Sequence, residues 1–111
     1  MPEQATETPV LDLLAKMNAE SIEASGLEPE TLMLVRIAAL ASVDAPPISY
    51  MLNLGAAGEI GIGEEQVRDV LIAIAPIVGS ARVASATSKI VRALGLAIEM
   101  AELEEAEKAE T

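Results

Sequence analysis

Four residues near the middle of the chain combine polar groups with helical spacing. Positions i, i+3, i+4 and i+7 share one face of a helix, and here they are Pro46, Ser49, Tyr50 and Asn53. The Ser49 hydroxyl can donate or accept a hydrogen bond, and the Asn53 amide can do both at once. We favour a structural role for them, as satisfied polar groups near a helix start or at a subunit interface.

Catalysis at this face would need a base beside the Ser49 hydroxyl. The sequence has no histidine and no cysteine, so only an acid or a lysine could act as that base. The same absence removes a disulfide, a thiol nucleophile and an ordinary zinc or copper site. We therefore predict no catalytic residue, no metal site and no cofactor.

Arg36 and Tyr50 are each isolated among aliphatic residues. Arg36 is the only charge in its predicted helix after Glu30, and a buried guanidinium needs a partner. We expect an ion pair with Asp44, or with an acid of another subunit, in preference to a clamp on a substrate carboxylate. Tyr50 is the only aromatic residue, and we expect its ring to be packed with its hydroxyl at a wet edge.

The composition predicts an all-helical subunit that assembles with copies of itself. The chain has 111 residues, of which 51% are hydrophobic, and an Ala, Leu and Met-rich core favours helices. A domain of this size hides only about two-thirds of its surface, and the mean hydropathy is high, at +0.40. The longest uncharged apolar run, residues 70–78, is far short of the roughly 20 residues of a membrane span, so self-association is expected.

The net charge of the chain further restricts the classes of partner that it can bind. A net charge of −11 leaves no basic patch to replace the counterions of nucleic acid, and an anionic membrane surface repels it. No basic segment of a signal peptide stands near Met1, so we expect a cytoplasmic protein. The glutamates of residues 102–110 are interpreted as a solvated helix face, with an acidic docking tail as the alternative.

Prolines suited to first helical turns and glycines suited to helix ends divide the chain. We expect residues 1–8 to be a disordered tail, 9–107 a single helical domain and 108–111 a frayed end. Gly26 is predicted to be a left-handed cap, and Asp44 and Ser80 are predicted to be N-caps. The predicted helices run from Pro9 to Gly26, from Pro29 to about Ser42, from Pro46 to near Gly58–Gly61, from Gly63 to Gly79 and from Ala81 to about Glu107.

The last predicted helix has apolar residues on more than one face. One face has Val83, Ala86, Ile90, Leu94, Ala97 and Ala101. A second stripe beside it has Val91, Ile98 and Leu103. This breadth predicts contact with its own bundle and with a neighbouring subunit.

Three segments in order carry a resemblance to a known family. An apolar Ala-rich helix from residue 34 leads into the face of Ser49 and Asn53. The turn Gly61-Ile-Gly-Glu-Glu-Gln-Val67 follows, with Gly63 where threonine is usual, and residues 75–82 come before the final helix. Over residues 27–95 the chain resembles the carboxymuconolactone decarboxylase family, which includes the alkylhydroperoxidase D-like proteins. The resemblance implies a five-helix bundle assembled as a homotrimer or homohexamer.

The segments that resemble the family lack its reactive groups. Its peroxidases carry Cys-x-x-Cys with a histidine four residues later, and its decarboxylase-type members keep the histidine with an acid four residues before it. The corresponding positions here are Pro46, Ser49 and Asn53. We therefore favour a diverged binding or scaffold subunit. The alternative is an enzyme of altered chemistry, in which Ser49, Asn53 and Arg36 orient a small organic acid or lactone in an inter-subunit pocket.

Overall fold

A computed structural model describes the backbone of residues 8–110 and the side chains of residues 8–95, 102–103 and 105–108. This part of the chain is all-helical, which confirms the predicted fold class. The predicted tail lies outside the described residues, apart from Thr8. The helices are α1 (Pro9–Ala24), α2 (Pro29–Ser42), α3 (Pro47–Glu59), α4 (Glu64–Val78) and α5 (Ser80–Glu110).

Two helices end in the same backbone motif. After α3, Gly61 is left-handed with φ of 91°, and Ile62 N–H donates to the Ala57 carbonyl at 3.0 Å. After α2, Asp44 is left-handed with φ of 55°, and Ala45 N–H donates to the Leu40 carbonyl at 3.0 Å. Both are Schellman-type ends, in which a left-handed residue lets the chain turn back and satisfy a free helix carbonyl.

Asp44 is therefore not the N-cap of α3. The N-cap position belongs to Pro46, whose extended backbone leads into Pro47 at the first turn. Asp44 instead ends α2, a position that aspartate tolerates better than most non-glycine residues. Its side chain points to α5 and not to the start of α3, because Ser85 and Lys89 bind it there.

Two further cap predictions are wrong. The left-handed glycines among the described residues are Gly61 and Gly79, so Gly26 is not a left-handed cap. After α1 the backbone becomes extended at Ser25, whose Oγ accepts a hydrogen bond from Leu27 N–H at 3.1 Å. Ser80 is the first residue of α5 and not its N-cap, because Gly79 ends α4 directly before it.

The core lies where α2 meets α3, α4 and α5. Ile37 and Tyr50 are its largest fully buried side chains. Much of the rest is alanine, which lets the helices approach closely. The buried core residues are Met33, Ile37, Ala41, Ala45, Tyr50, Ala57, Ile62, Val67, Leu71, Ala86, Ile90 and Ala93.

The long helix α5 buries only part of its apolar surface. Ala86 and Ile90 of the predicted core face are buried, and so is Ala93, which was not predicted, whereas Leu94 of that face is 41% exposed. Val91 and Leu103 remain exposed, as expected for the second stripe of a chain viewed alone. The side chains of Ala97, Ile98 and Ala101 lie outside the described residues. Helix α5 reaches Glu110, three residues beyond its predicted end.

Helix α1 stands apart from this packing. None of its residues is buried. It is fastened to α2 by Arg36, whose guanidinium donates to Ser21 Oγ at 3.0 Å and to Asn18 Oδ1. The apolar side chains of α1 face solvent, with exposed fractions of 67% for Val10 and 56% for Met17.

Candidate functional site

An apolar groove runs between the end of α3, the first half of α4 and the middle of α5. Its volume is 680 Å³, within the roughly 300–1,000 Å³ range of small-ligand sites. Val67, Leu71 and Ile90 form its buried base, while Val91 and Leu94 are exposed along its α5 side. The groove is therefore open to solvent and suited to an apolar occupant.

Charged side chains lie at the rim of this groove. Glu64 and Glu65 begin α4, and Arg68 follows one turn later. The Arg68 Nη2 atom lies 3.7 Å from Asp69 Oδ1, in a pair exposed to solvent, which contributes little to stability. Thr87, also in the lining, donates its hydroxyl proton to the Val83 carbonyl of its own helix. The rim can orient a charged partner, but it contains no nucleophile paired with a base.

None of the sequence-predicted site residues lines the groove. Ser49 and Asn53 do lie together, because Asn53 Nδ2 donates to the Ser49 backbone carbonyl at 2.9 Å. Pro46 precedes them at the N-cap of α3. The Asn53 amide therefore has a partner within its own helix, and a structural role for the face of Ser49 and Asn53 stays a prediction.

Arg36 does not pair with Asp44, which corrects the sequence-based expectation for these two residues. Its guanidinium binds the polar side chains of Asn18 and Ser21 in α1. Within one chain, Arg36 thus links α2 to α1 through hydrogen bonds. An inter-subunit pocket that includes Arg36, Ser49 and Asn53 stays a prediction for the assembled protein.

Tyr50 is fully buried and not at a wet edge. Its exposed fraction is 0%, and its hydroxyl has no hydrogen-bond partner among the side chains and backbone that the structure describes. Burial raises the pKa of Tyr50, and the negative charge of Asp44 raises it further. The phenol is therefore neutral over the physiological pH range and does not act as a base.

A polar cluster that the sequence reading missed joins α5 to the α2–α3 turn. Ser85 Oγ donates to Asp44 Oδ1 at 2.7 Å, and Lys89 Nζ donates to the same oxygen at 2.9 Å. One turn earlier on α5, Arg82 Nη1 donates to the Ser42 carbonyl at 2.9 Å. The spacing of Arg82, Ser85 and Lys89, three and then four residues, was the available signal, because it places three donors on one helix face.

This cluster has the composition of a nucleophile and base but not the required electrostatics. The hydrogen bond from Ser85 lowers the pKa of Asp44 most, and the hydrogen bond and charge of Lys89 lower it further. A carboxylate with a lowered pKa is a weak base at neutral pH and cannot readily remove the Ser85 proton. We therefore interpret the cluster as a tether between helices.

Within the described part of the chain, no three acidic side chains gather as they would around a metal ion. Over the same residues, no helix combines the length and the apolar character needed to cross a bilayer.

Comparisons with known proteins find no relative. No protein-family model matches the chain, and neither the curated proteins nor the solved structures contain a match. The resemblance to the carboxymuconolactone decarboxylase family therefore rests on the sequence segments described above, and family membership is a proposal.

Proposed function

We propose that this chain is a non-catalytic binding or scaffold subunit that works as a homo-oligomer, a trimer or a hexamer, in the cytoplasm. We further propose that it is a diverged member of the carboxymuconolactone decarboxylase family. One observation carries the proposal of self-association: α1 is helical, yet its whole apolar face is uncovered in the single chain.

Such a helix needs a cover for energetic reasons. A helix of 16 residues is marginal in water unless its apolar face is packed. Fully burying one leucine, valine or methionine side chain contributes about 1.5–3 kcal/mol. The side chains that are more than half exposed along α1 are Val10, Leu11, Leu13, Leu14 and Met17. Covering them would contribute several kcal/mol, which is a large part of the stability of a small domain.

The dimensions of the chain support the same proposal. Its radius of gyration is 16.3 Å, whereas a compact domain of about 100 residues has one of roughly 13 Å. Helix α5 has 31 residues and is therefore about 46 Å long. An extended chain with apolar surface at α1 and along α5 is typical of a subunit whose partners fill the gaps.

The enzyme alternative has less support. The Asn53 amide donates to a carbonyl of its own helix, and the Arg36 guanidinium donates to Ser21 of α1. Asp44, the possible base beside Ser85, is a weak base because its pKa is lowered. The resemblance places Pro46, Ser49 and Asn53 where the family carries its reactive groups. The proposed non-catalytic role rests on these three residues, which replace the family's reactive groups. It does not rest on the α4–α5 groove.

Light scattering on a sizing column tests the assembly. We expect a mass of three or six times 11.5 kDa that persists on dilution. A folded, monodisperse monomer would contradict the proposal. Incubation of the same sample with an organic hydroperoxide, and separately with a muconolactone-type acid, should give no turnover. Turnover of either would end the non-catalytic part of the proposal and leave the oligomer intact.

A further inference from the structure

Among the described residues, helix α1 exposes its apolar face and the groove between α4 and α5 is open to solvent. Helix α1 has no buried residue, and the groove between α4 and α5 exposes Val91 and Leu94. We propose that α1 of one copy lies in the α4–α5 groove of a second copy. This inference rests on the proposed homo-oligomer and specifies one of its interfaces.

The apolar residues of α1 have the spacing of a helix that binds in a groove. Helices of this kind present anchors at i, i+3, i+4 and i+7. The corresponding residues of α1 are Val10, Leu13, Leu14 and Met17, and each is more than half exposed. The face is therefore continuous and available over two helical turns.

The groove matches this face in length. From Val10 to Met17 the helix advances by seven residues, or about 10 Å. The groove-lining part of α4 runs from Glu64 to Leu71 and that of α5 from Thr87 to Leu94, and each also advances by seven residues from its first to its last member. The two lining segments are therefore as long as the apolar face that they would receive.

The charges beside the two surfaces are complementary. In α1, Lys16 has an acid four residues away on either side, Asp12 and Glu20. At the groove rim, Arg68 follows Glu64 and Glu65 by one turn. When α1 runs parallel to α4, Lys16 can therefore face these glutamates while Glu20 faces Arg68, whereas Asp12 lies on the side of α1 opposite Leu14 and Met17. The pairs present within one chain, Lys16–Glu20 at 3.9 Å and Arg68–Asp69 at 3.7 Å, are exposed and readily exchanged.

The occupant comes from a second copy because α1 is engaged elsewhere in its own chain. Arg36 holds Asn18 and Ser21 of α1 at α2, and no residue of α1 lines the groove. Contact between two different surfaces of identical chains is a heterologous interface, and such an interface can close into a ring such as a trimer. A small apolar molecule is the competing occupant, and the experiment below separates the two.

Disulfide trapping between two different single variants tests the contact directly. The chain has no cysteine, so each variant carries one thiol. We would mix Leu14→Cys with Val91→Cys under mild oxidation and expect a disulfide-linked pair of unlike chains. Ala73→Cys, exposed on α4 and outside the groove lining, replaces Val91→Cys in the control mixture. The trapped yield should be at least five-fold lower in the control.

Each result that contradicts the proposed contact leads to a different conclusion. Equal trapping in both mixtures, or no trapping while light scattering still gives an oligomer, overturns this contact and leaves the proposed function standing. A monomeric mass overturns both. A Leu14→Cys/Val91→Cys double variant that closes into a disulfide within single chains would show that α1 covers its own groove, and would overturn the proposed contact between copies.

A charge substitution provides a second readout. Leu14→Glu should reduce the oligomer mass, while Ala19→Glu on the polar side of α1 should leave it unchanged, with helix content by circular dichroism the same in both. An apolar fluorescent dye should bind Leu14→Glu and not the wild-type assembly. Saturable dye binding to the wild-type assembly that Val91→Asp abolishes would show a groove open to small molecules, and would overturn the proposal.

Discussion

Ser85 Oγ donates a 2.7 Å hydrogen bond to Asp44 Oδ1, and this contact joins α5 to the turn that ends α2. Asp44 occupies the left-handed position that Gly61 occupies at the end of α3. A glycine there would serve the turn alone, whereas aspartate also supplies a carboxylate that binds Ser85 and Lys89. The residue thus combines a local backbone role with a long-range tether.

The tether predicts a pH dependence that Asp44→Asn should remove. The pKa of Asp44 in the folded protein is below its ordinary value of 3.8, so the unfolded chain binds a proton first as the pH falls. The stability that Asp44 contributes is complete above about pH 5, declines as the pH falls through the ordinary value, and is lost below the folded-state pKa. Urea midpoints from pH 7 to pH 3 should therefore fall less steeply for Asp44→Asn.

Asn is the right replacement because it tolerates the left-handed backbone and keeps an acceptor oxygen. Asp69→Asn is the matched control, since Asp69 is exposed and lies 3.7 Å from Arg68. It changes the net charge equally, so it should follow the wild-type pH curve more closely. If the curves of the two variants coincide, Asp44 is not a specific source of the acid sensitivity.

The buried hydroxyl of Tyr50 predicts an unusual result for Tyr50→Phe. Leaving a buried polar group without a partner costs about 1–3 kcal/mol, and no described residue pairs with this hydroxyl. Its removal should leave stability unchanged or raise it by about 1 kcal/mol. Tyr50→Ala, which removes the ring as well, should cost about 3–5 kcal/mol. Chemical denaturation followed by far-ultraviolet circular dichroism measures both. A loss above 1 kcal/mol in Tyr50→Phe would show that the hydroxyl has a partner.

Gly79 and Gly26 should respond differently to alanine. Gly79 has φ of 90° and ψ of 158°, a region that only glycine adopts without strain, and Gly79→Ala should cost about 1–3 kcal/mol. No atom lies within 4 Å of a Cβ built at either glycine, so crowding is not involved. Gly26→Ala should change the unfolding free energy by at most about 0.5 kcal/mol. Equal losses in thermal unfolding would contradict the backbone argument.

The helices were predictable from the sequence because their boundaries are local. Pro29 and Pro47 begin helices, and Gly61 and Gly79 end or follow them, which requires only the intrinsic backbone preferences of these residues. The side-chain partners were not predictable to the same degree. Arg36 reaches across 15 and 18 residues and Asp44 across 41 and 45, and such pairs depend on how the helices pack.

The candidate site shows the same division. The polar character and shared helix face of Ser49 and Asn53 could be read from their spacing, and within α3 the Asn53 amide donates to the Ser49 backbone carbonyl. The groove could not be located, because its lining combines residues of α3, α4 and α5, and their arrangement depends on how the helices pack. The full burial of Tyr50 could not be predicted for the same reason, because the side chains around it come from other helices.

Two neighbouring residues on α5 should separate folding from assembly. Ile90 is in the base of the groove and 9% exposed, whereas Leu94 is 41% exposed. Ile90→Asp buries a carboxylate without a partner, a change that costs several kcal/mol and is expected to unfold the chain. Leu94→Asp can hydrate its charge in the single chain, so the fold should persist while the oligomer dissociates. Arg92→Asp, exposed on the side of α5 opposite Leu94, is the control and should keep the wild-type mass. Circular dichroism reports the fold and light scattering the mass. If Leu94→Asp kept both its mass and its Tm, this part of α5 would not be an interface, because a charge placed in an apolar contact between subunits cannot be neutral in energy.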